Sequence, residues 1–126
     1  MTQAIAAPNA LLEWFRTQRR DLPWRTPRGV ARDPWKTLVS EVMSQQTRLD
    51  VVVPRFLDWM RQFPSPADLA AASEEEVLAA WAGLGYYSRA RNLRKAASAV
   101  AERGWPTGHA GFLGLPGVGA YTAAAL

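Results

Sequence analysis

The stretch that decides the fold is Leu115-Pro116-Gly117-Val118-Gly119-Ala120-Tyr121-Thr122-Ala123-Ala124-Ala125-Leu126. A Pro-Gly-Val-Gly turn leads directly into an alanine-rich run, which is typical of a tight turn at the start of a helix. The first amides of a helix are unpaired and favour anions, and glycine lets a ligand approach the backbone closely. The sequence therefore predicts either a hairpin that grips a phosphate or a plain connector between two packed helices.

The rest of the chain is predicted to be helical, because apolar residues recur at helical spacing and no segment alternates over the length of a strand. A first helix is expected over about 9–20. Asp33 as the cap and Pro34 at the first position begin a second helix. Its apolar stripe is Trp35, Leu38, Val39, Val42 and Met43, and its opposite face is Thr37, Glu41, Ser44, Gln45 and Arg48.

Further signals divide the second half of the chain. A third helix is expected to bury Val52, Val53, Phe56, Leu57 and Met60, with Pro54 in its first turn. Ser65 and Ser73 begin two short helices, Ser73 through a capping box, and Gly83 and Gly85 end the second of these. A longer helix with Leu93, Ala96, Ala97 and Val100 on its buried side ends at Gly104. His109 is expected in a glycine-rich loop, with no neighbour that would make it a metal ligand.

Composition narrows the class of protein. The 126 residues include 48% hydrophobic and 21% charged side chains, as in a globular chain of about one domain. With no cysteine there is neither a disulfide nor a thiolate metal site. Glycines and prolines interrupt the uncharged residues 104–126, so we expect no membrane span but a soluble, cytoplasmic protein. The final helix has no stop signal, and we expect a truncated chain.

The charge is polarised along the sequence. The net charge is +4, and residues 86–95 hold four basic side chains with no acid. Residues 50–85 carry six acids against Arg55 and Arg61. Such a distribution is typical of a protein with one face for nucleic acid.

Four stretches then match one family in order. They are Leu22-Pro23-Trp24-Arg25, Ser40-Glu41-Val42-Met43-Ser44-Gln45-Gln46-Thr47, Gly83-Leu84-Gly85-Tyr86-Tyr87-Ser88-Arg89-Ala90-Arg91-Asn92-Leu93, and the Leu-Pro-Gly-Val-Gly turn. Together they resemble the N-terminal part of the adenine DNA glycosylases of the MutY type, in the helix-hairpin-helix superfamily. The resemblance implies an all-α domain over 1–126, incomplete after a hairpin at about 113–122.

The resemblance also implies roles for individual residues. Glu41 matches the acid that protonates adenine, although an arbitrary helix-surface glutamate is more often only solvated. The residues expected around the base and in the opened duplex are Arg20, Trp24, Arg25, Gln45, Gln46 and Tyr86. For Trp24 and Tyr86 the alternative is core packing, which suits Tyr87 better. Arg89, Arg91, Gly117 and Gly119 are expected at the DNA backbone, the two arginines otherwise forming a solvated basic face.

Tyr121 separates branches of the superfamily. Members similar to endonuclease III have a lysine there, whose amine forms a Schiff base with the sugar. A tyrosine cannot form that imine, so the resemblance implies a monofunctional hydrolase with Tyr121 in the catalytic site; packing on the core is the alternative. Carbonyls of Leu113, Leu115 and Val118 are expected to hold a monovalent cation that bridges to DNA.

The implied activity is removal of adenine mispaired with 8-oxoguanine or guanine in double-stranded DNA, by a monomer. The family's catalytic aspartate, its four cysteines for a 4Fe-4S cluster and its 8-oxoguanine domain are expected beyond Leu126, so the chain alone is expected to be inactive. Two alternatives stay open: an endonuclease III-like glycosylase for oxidised pyrimidines, and a non-catalytic helix-hairpin-helix DNA-binding module.

Overall fold

The structure is a computed structural model that describes residues 22–24, 29, 31–45 and 47–126. The chain divides into two compact units, residues 1–31 and 32–126. In the first unit the description covers a turn at Pro23 and Trp24, with Trp24 half-buried. The helix expected over 9–20 lies outside the described residues.

The second unit is built from helices, and no strand occurs among the described residues. The helices are α1 Pro34–Ser44, α2 Leu49–Gln62, α3 Pro66–Ala71, α4 Glu74–Trp81, α5 Tyr87–Arg103, α6 Gly108–Leu113 and α7 Ala120–Ala125. Helix α5 packs against α1, α3 and α4, while α7 packs against α1 and α6. The all-α prediction is confirmed.

Helix α1 begins and faces inward as its sequence predicts. The side chain of Asp33 accepts the amide of Trp35 at 2.9 Å, and Pro34 occupies the first turn, where a missing amide costs nothing. All five residues of the predicted apolar stripe are buried. The indole of Trp35 donates to the carbonyl of Phe63 at 2.9 Å, which joins α1 to the end of α2.

The predicted starts of α3 and α4 and the predicted ends of α4 and α5 are also confirmed. Ser65 and Ser73 each form a capping box with the residue three positions on. Gly83 and Gly85 have φ angles of 92° and 71°, a left-handed conformation that suits glycine and ends α4. Gly104 ends α5 in the same region of φ.

The prediction for α2 is wrong in two respects. Trp59 lies in the core, edge-on to Phe63 and Trp81 at ring-centroid distances of 4.9 and 5.6 Å, whereas Leu57 is 48% exposed. Pro54 lies in the second turn rather than the first, because the carbonyl of Arg48 already accepts the amides that begin the helix at Leu49. The face of α2 that is buried is therefore the one that carries the large ring of Trp59, not the one that carries Leu57.

The glycine-rich segment around His109 is not a loop. It forms α6, which packs against α7, so the glycine turn joins two helices. None of the helices in the described ranges combines the length and apolar character needed to cross a bilayer.

Replacing Pro54 with alanine is expected to stabilise the protein. The exposed ring of Pro54 removes one helical hydrogen bond and crowds the carbonyl of Asp50, whereas alanine restores the amide. Urea denaturation should show a free energy of unfolding higher by about 1–3 kcal/mol. Leu57→Ala, on the exposed face of the same helix, is the control, and an unchanged or lower stability for Pro54→Ala would contradict this account.

Candidate functional site

Glu41 lies in the last two turns of α1, beside the buried stripe rather than on the outer face. Its side chain is half-buried, and burial raises the pKa of the Glu41 carboxyl above its ordinary value. Within the described part of the chain no side chain or backbone group donates a hydrogen bond to this carboxyl. A carboxyl in such surroundings keeps its proton closer to neutral pH, which is the property required of a general acid.

The end of α1 meets the hairpin. Gln45 follows the last residue of α1, and its side-chain amide donates to the hydroxyl of Thr122 at 3.4 Å. The Arg32 guanidinium donates to the carbonyl of Ala125 at the other end of α7. A cavity of about 120 Å³ separates α1, α5 and the turn, with Gln45, Asn92 and Gly117 in its lining. The structure thus brings Gln45 and the hairpin together.

The two glycines of the turn are used differently. Gly117 has a φ of 76°, and a Cβ atom there would lie 2.8 Å from the Cβ of Asn92. Gly119 is extended, with a φ of −89°, and a Cβ atom there would meet no atom within 4 Å. The fold therefore requires glycine at 117 but not at 119. Among the described residues, no group accepts the amides of Gly119, Ala120 or Tyr121.

Tyr121 is in the first turn of α7, where its side chain is 86% exposed. The next two residues, Thr122 and Ala123, are the ones that α7 buries. Tyr121 therefore does not pack on the core that the described residues form, which was the alternative the sequence left open. Its catalytic role remains a prediction.

Tyr86 is the one described non-glycine residue with a positive φ, 49°. Its side chain is 65% exposed, so it is not a core residue, and Tyr87, expected to be the more buried of the pair, is 42% exposed. A left-handed backbone costs a bulky residue free energy and persists where the surroundings impose it. Tyr86 is thus an exposed ring on a backbone that its neighbours hold in place.

Arg89 is half-buried, and acceptors within the protein hold its guanidinium. Its guanidinium donates to the carbonyls of Val42 and Leu84 at 2.8 and 3.0 Å, to the carbonyl of Gln45, and to the hydroxyl of Thr47 at 3.1 Å. This placement argues against the predicted contact of Arg89 with a DNA phosphate, because both terminal nitrogens already have acceptors and Nε is buried. Arg91, in contrast, is half exposed and forms a surface ion pair with Glu74 at 3.1 Å.

Other predicted site residues are placed only in part. Arg20, Arg25 and Gln46 lie outside the described residues, and Trp24 belongs to the first unit. The carbonyl of Leu115, one of three expected around a cation, accepts the amide of Val118 at 3.1 Å. In the described ranges no three His, Asp or Glu side chains converge, and the sequence has no cysteine to hold an iron-sulfur cluster.

Sequence reasoning missed three residues of this region: Thr122, Asn92 and the internal role of Arg89. Thr122 and Asn92 acquire their contacts only when α7 and α5 pack beside α1, so no local pattern identifies them. Arg89 had a signal, because the Gly-Leu-Gly turn before it leaves carbonyls that need donors.

The sequence profile of the HhH-GPD superfamily, described as base excision DNA repair proteins, matches residues 39–124. The chain belongs to this superfamily. The matched range begins within α1 and ends within α7. It therefore contains Glu41, the hairpin, and residues 82–86 between α4 and α5, which we call the Tyr86 loop.

Adenine DNA glycosylases of several organisms are similar to this chain. Adenine DNA glycosylase of Homo sapiens is 42% identical, over all of this chain and 24% of the relative. Adenine DNA glycosylase of Mycolicibacterium smegmatis is 44% identical, over 95% of this chain and 41% of the relative. The chain thus spans from about a quarter to two fifths of the length of these relatives.

Solved structures agree on the fold. A thermostable thymine-DNA glycosylase is similar with a TM-score of 0.74 and 28% identity, over 91% of this chain and 53% of that one. A non-covalent complex of endonuclease III with DNA has a TM-score of 0.67 at 24% identity, over 90% and 55% of the two chains.

The unequal demands on the two glycines predict unequal effects of alanine. Gly117→Ala is expected to lower the free energy of unfolding by more than about 1 kcal/mol, from backbone strain and the clash with Asn92. Gly119→Ala, the matched control two residues on, should stay within about 0.5 kcal/mol of the wild type. Equal losses in chemical denaturation would contradict the assignment.

Burial of Glu41 also predicts a pH-dependent effect on stability. Because the folded state raises the pKa of Glu41, ionisation of this carboxyl destabilises the fold. The penalty is absent below the unfolded-state pKa, about 4.3 for a glutamate, and is complete above the folded-state pKa. Glu41→Gln should therefore raise the melting temperature at neutral pH and leave it nearly unchanged at acidic pH. Melting curves across pH test this, with the exposed Glu75→Gln variant as the control for the lost charge. A gain in melting temperature confined to low pH would contradict the predicted destabilisation by ionised Glu41.

Proposed function

We propose that this chain is part of a monofunctional adenine DNA glycosylase, which hydrolyses the N-glycosidic bond of adenine mispaired with 8-oxoguanine or guanine. The observation that carries the proposal is the half-buried Glu41 carboxyl, whose pKa is raised and which no described donor satisfies, on the helix that meets the glycine hairpin. The names of the relatives from Homo sapiens and Mycolicibacterium smegmatis support the same activity.

In the proposed reaction Glu41 acts as the general acid. Adenine departs as a poor leaving group unless a ring nitrogen is protonated, and the raised pKa of Glu41 keeps a proton available for that step. As the bond to the sugar breaks, the base takes the bonding electron pair and leaves as neutral adenine. A water molecule then adds to the sugar carbon and releases a proton to solvent, from which the Glu41 carboxylate is reprotonated, and an abasic site remains.

The enzyme must first take adenine out of the duplex. Gln45 is proposed as the residue that enters the gap, and Tyr86 as the ring that stacks beside the opposite base; both are exposed and both belong to segments fixed by packing. The hairpin is proposed to hold a phosphate. Supporting this, Gly119 has no side chain although the fold does not require glycine there, and the neighbouring amides have no described acceptor.

Tyr121 supports hydrolysis without a lyase step. A tyrosine has no amine with which to attack the sugar, so no covalent imine is expected. We propose a monomer that acts in the cytoplasm on double-stranded DNA, with Arg91 as an accessible phosphate contact. The iron-sulfur cluster implied by the resemblance needs thiolates that this sequence does not contain, and no residue here is assigned to it.

The test is adenine excision by Glu41→Gln in the full-length protein. The single-turnover rate on a duplex with adenine opposite 8-oxoguanine should fall by about 10²- to 10⁴-fold, because glutamine offers no acidic proton. The dissociation constant for the duplex should stay within about threefold of the wild type, since a general acid contributes to the transition state rather than to ground-state binding.

Glu75→Gln is the matched control, because it removes an exposed carboxylate from α4 and should excise at the wild-type rate. Excision by Glu41→Gln at the wild-type rate would falsify the acid's assignment. Borohydride should trap no protein–DNA adduct; a trapped adduct together with cleavage of oxidised pyrimidines would instead favour the endonuclease III-like alternative.

A further inference from the structure

We propose that Arg89 is a positioning residue, which fixes the Gln45 end of α1 against the Tyr86 loop and so controls extrusion of adenine rather than proton transfer. The effect on extrusion of adenine rests on the proposed function. That Arg89 holds the two segments together rests only on contacts among the described residues. This positioning role also replaces the role of phosphate contact that the sequence had suggested for Arg89.

The two ends of the guanidinium serve two different segments. Nη1 donates to the carbonyls of Val42, at 2.8 Å, and Gln45, which close the C-terminal end of α1. Nη2 donates to the carbonyl of Leu84 at 3.0 Å, and more weakly to that of Gly85 at 3.4 Å, in the loop before Tyr86. One planar group therefore ties together the segments that carry Gln45 and Tyr86.

At the C-terminal end of α1, the described residues offer no other cation to the terminal carbonyls. Helix α1 ends without glycine and without a basic residue in its last turn, and the amide of Gln45 reaches the carbonyl of Val42 only at 3.4 Å. The cation of Arg89 supplies both the missing donors and the positive charge that suits a helix C-terminus.

The loop depends on the same cation. Tyr86 adopts a φ of 49°, which a tyrosine adopts only when its surroundings impose it. The guanidinium lies 5.3 Å from the centroid of the Trp81 ring and 5.5 Å from that of Tyr86, between the core and the exposed ring. The indole of Trp81 also donates to the carbonyl of Gly85 at 2.8 Å, so loss of Arg89 removes one of the two side chains that hold the loop, together with the cation–π contact to the Tyr86 ring.

The environment of Arg89 differs from that of a phosphate ligand. Its Nε atom is buried without a hydrogen-bond partner, and both terminal nitrogens already have acceptors. Arg91, two residues on, has a half-exposed guanidinium paired only with Glu74. Of these two arginines, Arg91 is therefore suited to DNA phosphates and Arg89 to internal positioning.

The experiment compares Arg89→Lys, Arg91→Ala and Val100→Ala in the full-length protein, at a temperature where all are folded. Val100, buried on α5 about three turns from Arg89, controls for general loss of stability. A duplex with 2-aminopurine in place of the target adenine, opposite 8-oxoguanine, reports extrusion by its fluorescence. Salt titration of duplex binding reports the phosphate contacts.

Lysine keeps the charge of Arg89 but has no fork with which to reach both segments. Arg89→Lys is therefore expected to lower the fluorescence rise and the single-turnover rate by on the order of tenfold or more, with the shape of the pH–rate profile unchanged. Its salt slope should equal that of the wild type, whereas Arg91→Ala should reduce the slope by about 1. Val100→Ala should extrude adenine normally.

Three results would overturn the proposal. Arg89→Lys could extrude the base as the wild type does, or Val100→Ala could lose as much extrusion as Arg89→Lys. The third is that Arg89→Lys lowers the salt slope of duplex binding as much as Arg91→Ala does. Hydrogen exchange in the DNA-free protein separates this failure from that of the proposed function. Faster exchange of the amides at 45 and 84–86 in Arg89→Lys supports the positioning role of Arg89 even if the wild type fails to excise adenine. Unchanged exchange overturns that role whatever the substrate.

Discussion

The packing of α1 against α2, α5 and α7 is the constraint on which the rest of the site depends. Five apolar side chains fix how α1 is rotated, and a residue four positions along a helix shares the face of the first. Glu41 and Gln45 are four positions apart, so one rotation places both. The same packing leaves the Glu41 carboxyl half-buried, which raises its pKa. The apolar stripe thus determines both the position of the Glu41 carboxyl and the direction in which its pKa shifts. Among the described residues, no polar partner of the carboxyl is needed for this.

Around this helix the backbone, rather than a set of charged side chains, forms much of the predicted interface. Gly117 has the left-handed conformation that the turn needs, whereas Gly119 leaves open space at the start of α7. Basic residues divide in a parallel way: Arg89 is directed inward and Arg91 outward. The chain's net positive charge is therefore a poor measure of the proposed contact with DNA, since the Arg89 guanidinium donates to backbone carbonyls of the fold.

Local signals were sufficient where structure depends on neighbours in sequence. Asp33 with Pro34, and the capping box at Ser73, mark helix starts because a side chain satisfies an amide three residues away or fewer. The prediction failed where distant packing decides the outcome. Trp59 displaced Leu57 from the core because its ring fills the space between α2 and α4, which no pattern within α2 encodes. The same holds for the site. Motif resemblance identified Glu41, but the sequence could not predict contacts made between distant segments, such as that of Gln45 with Thr122.

Trp81 belongs to the core and to the loop at once. Its ring packs edge-on against Trp59, its indole donates to the carbonyl of Gly85 at 2.8 Å, and its face lies under the Arg89 guanidinium. Substitutions that repack the interior around this ring will therefore shift the exposed Tyr86 as well. If Tyr86 has the proposed role, thermal stability and recognition of the mispair are coupled traits in this domain, so that selection for one during evolution or engineering constrains the other.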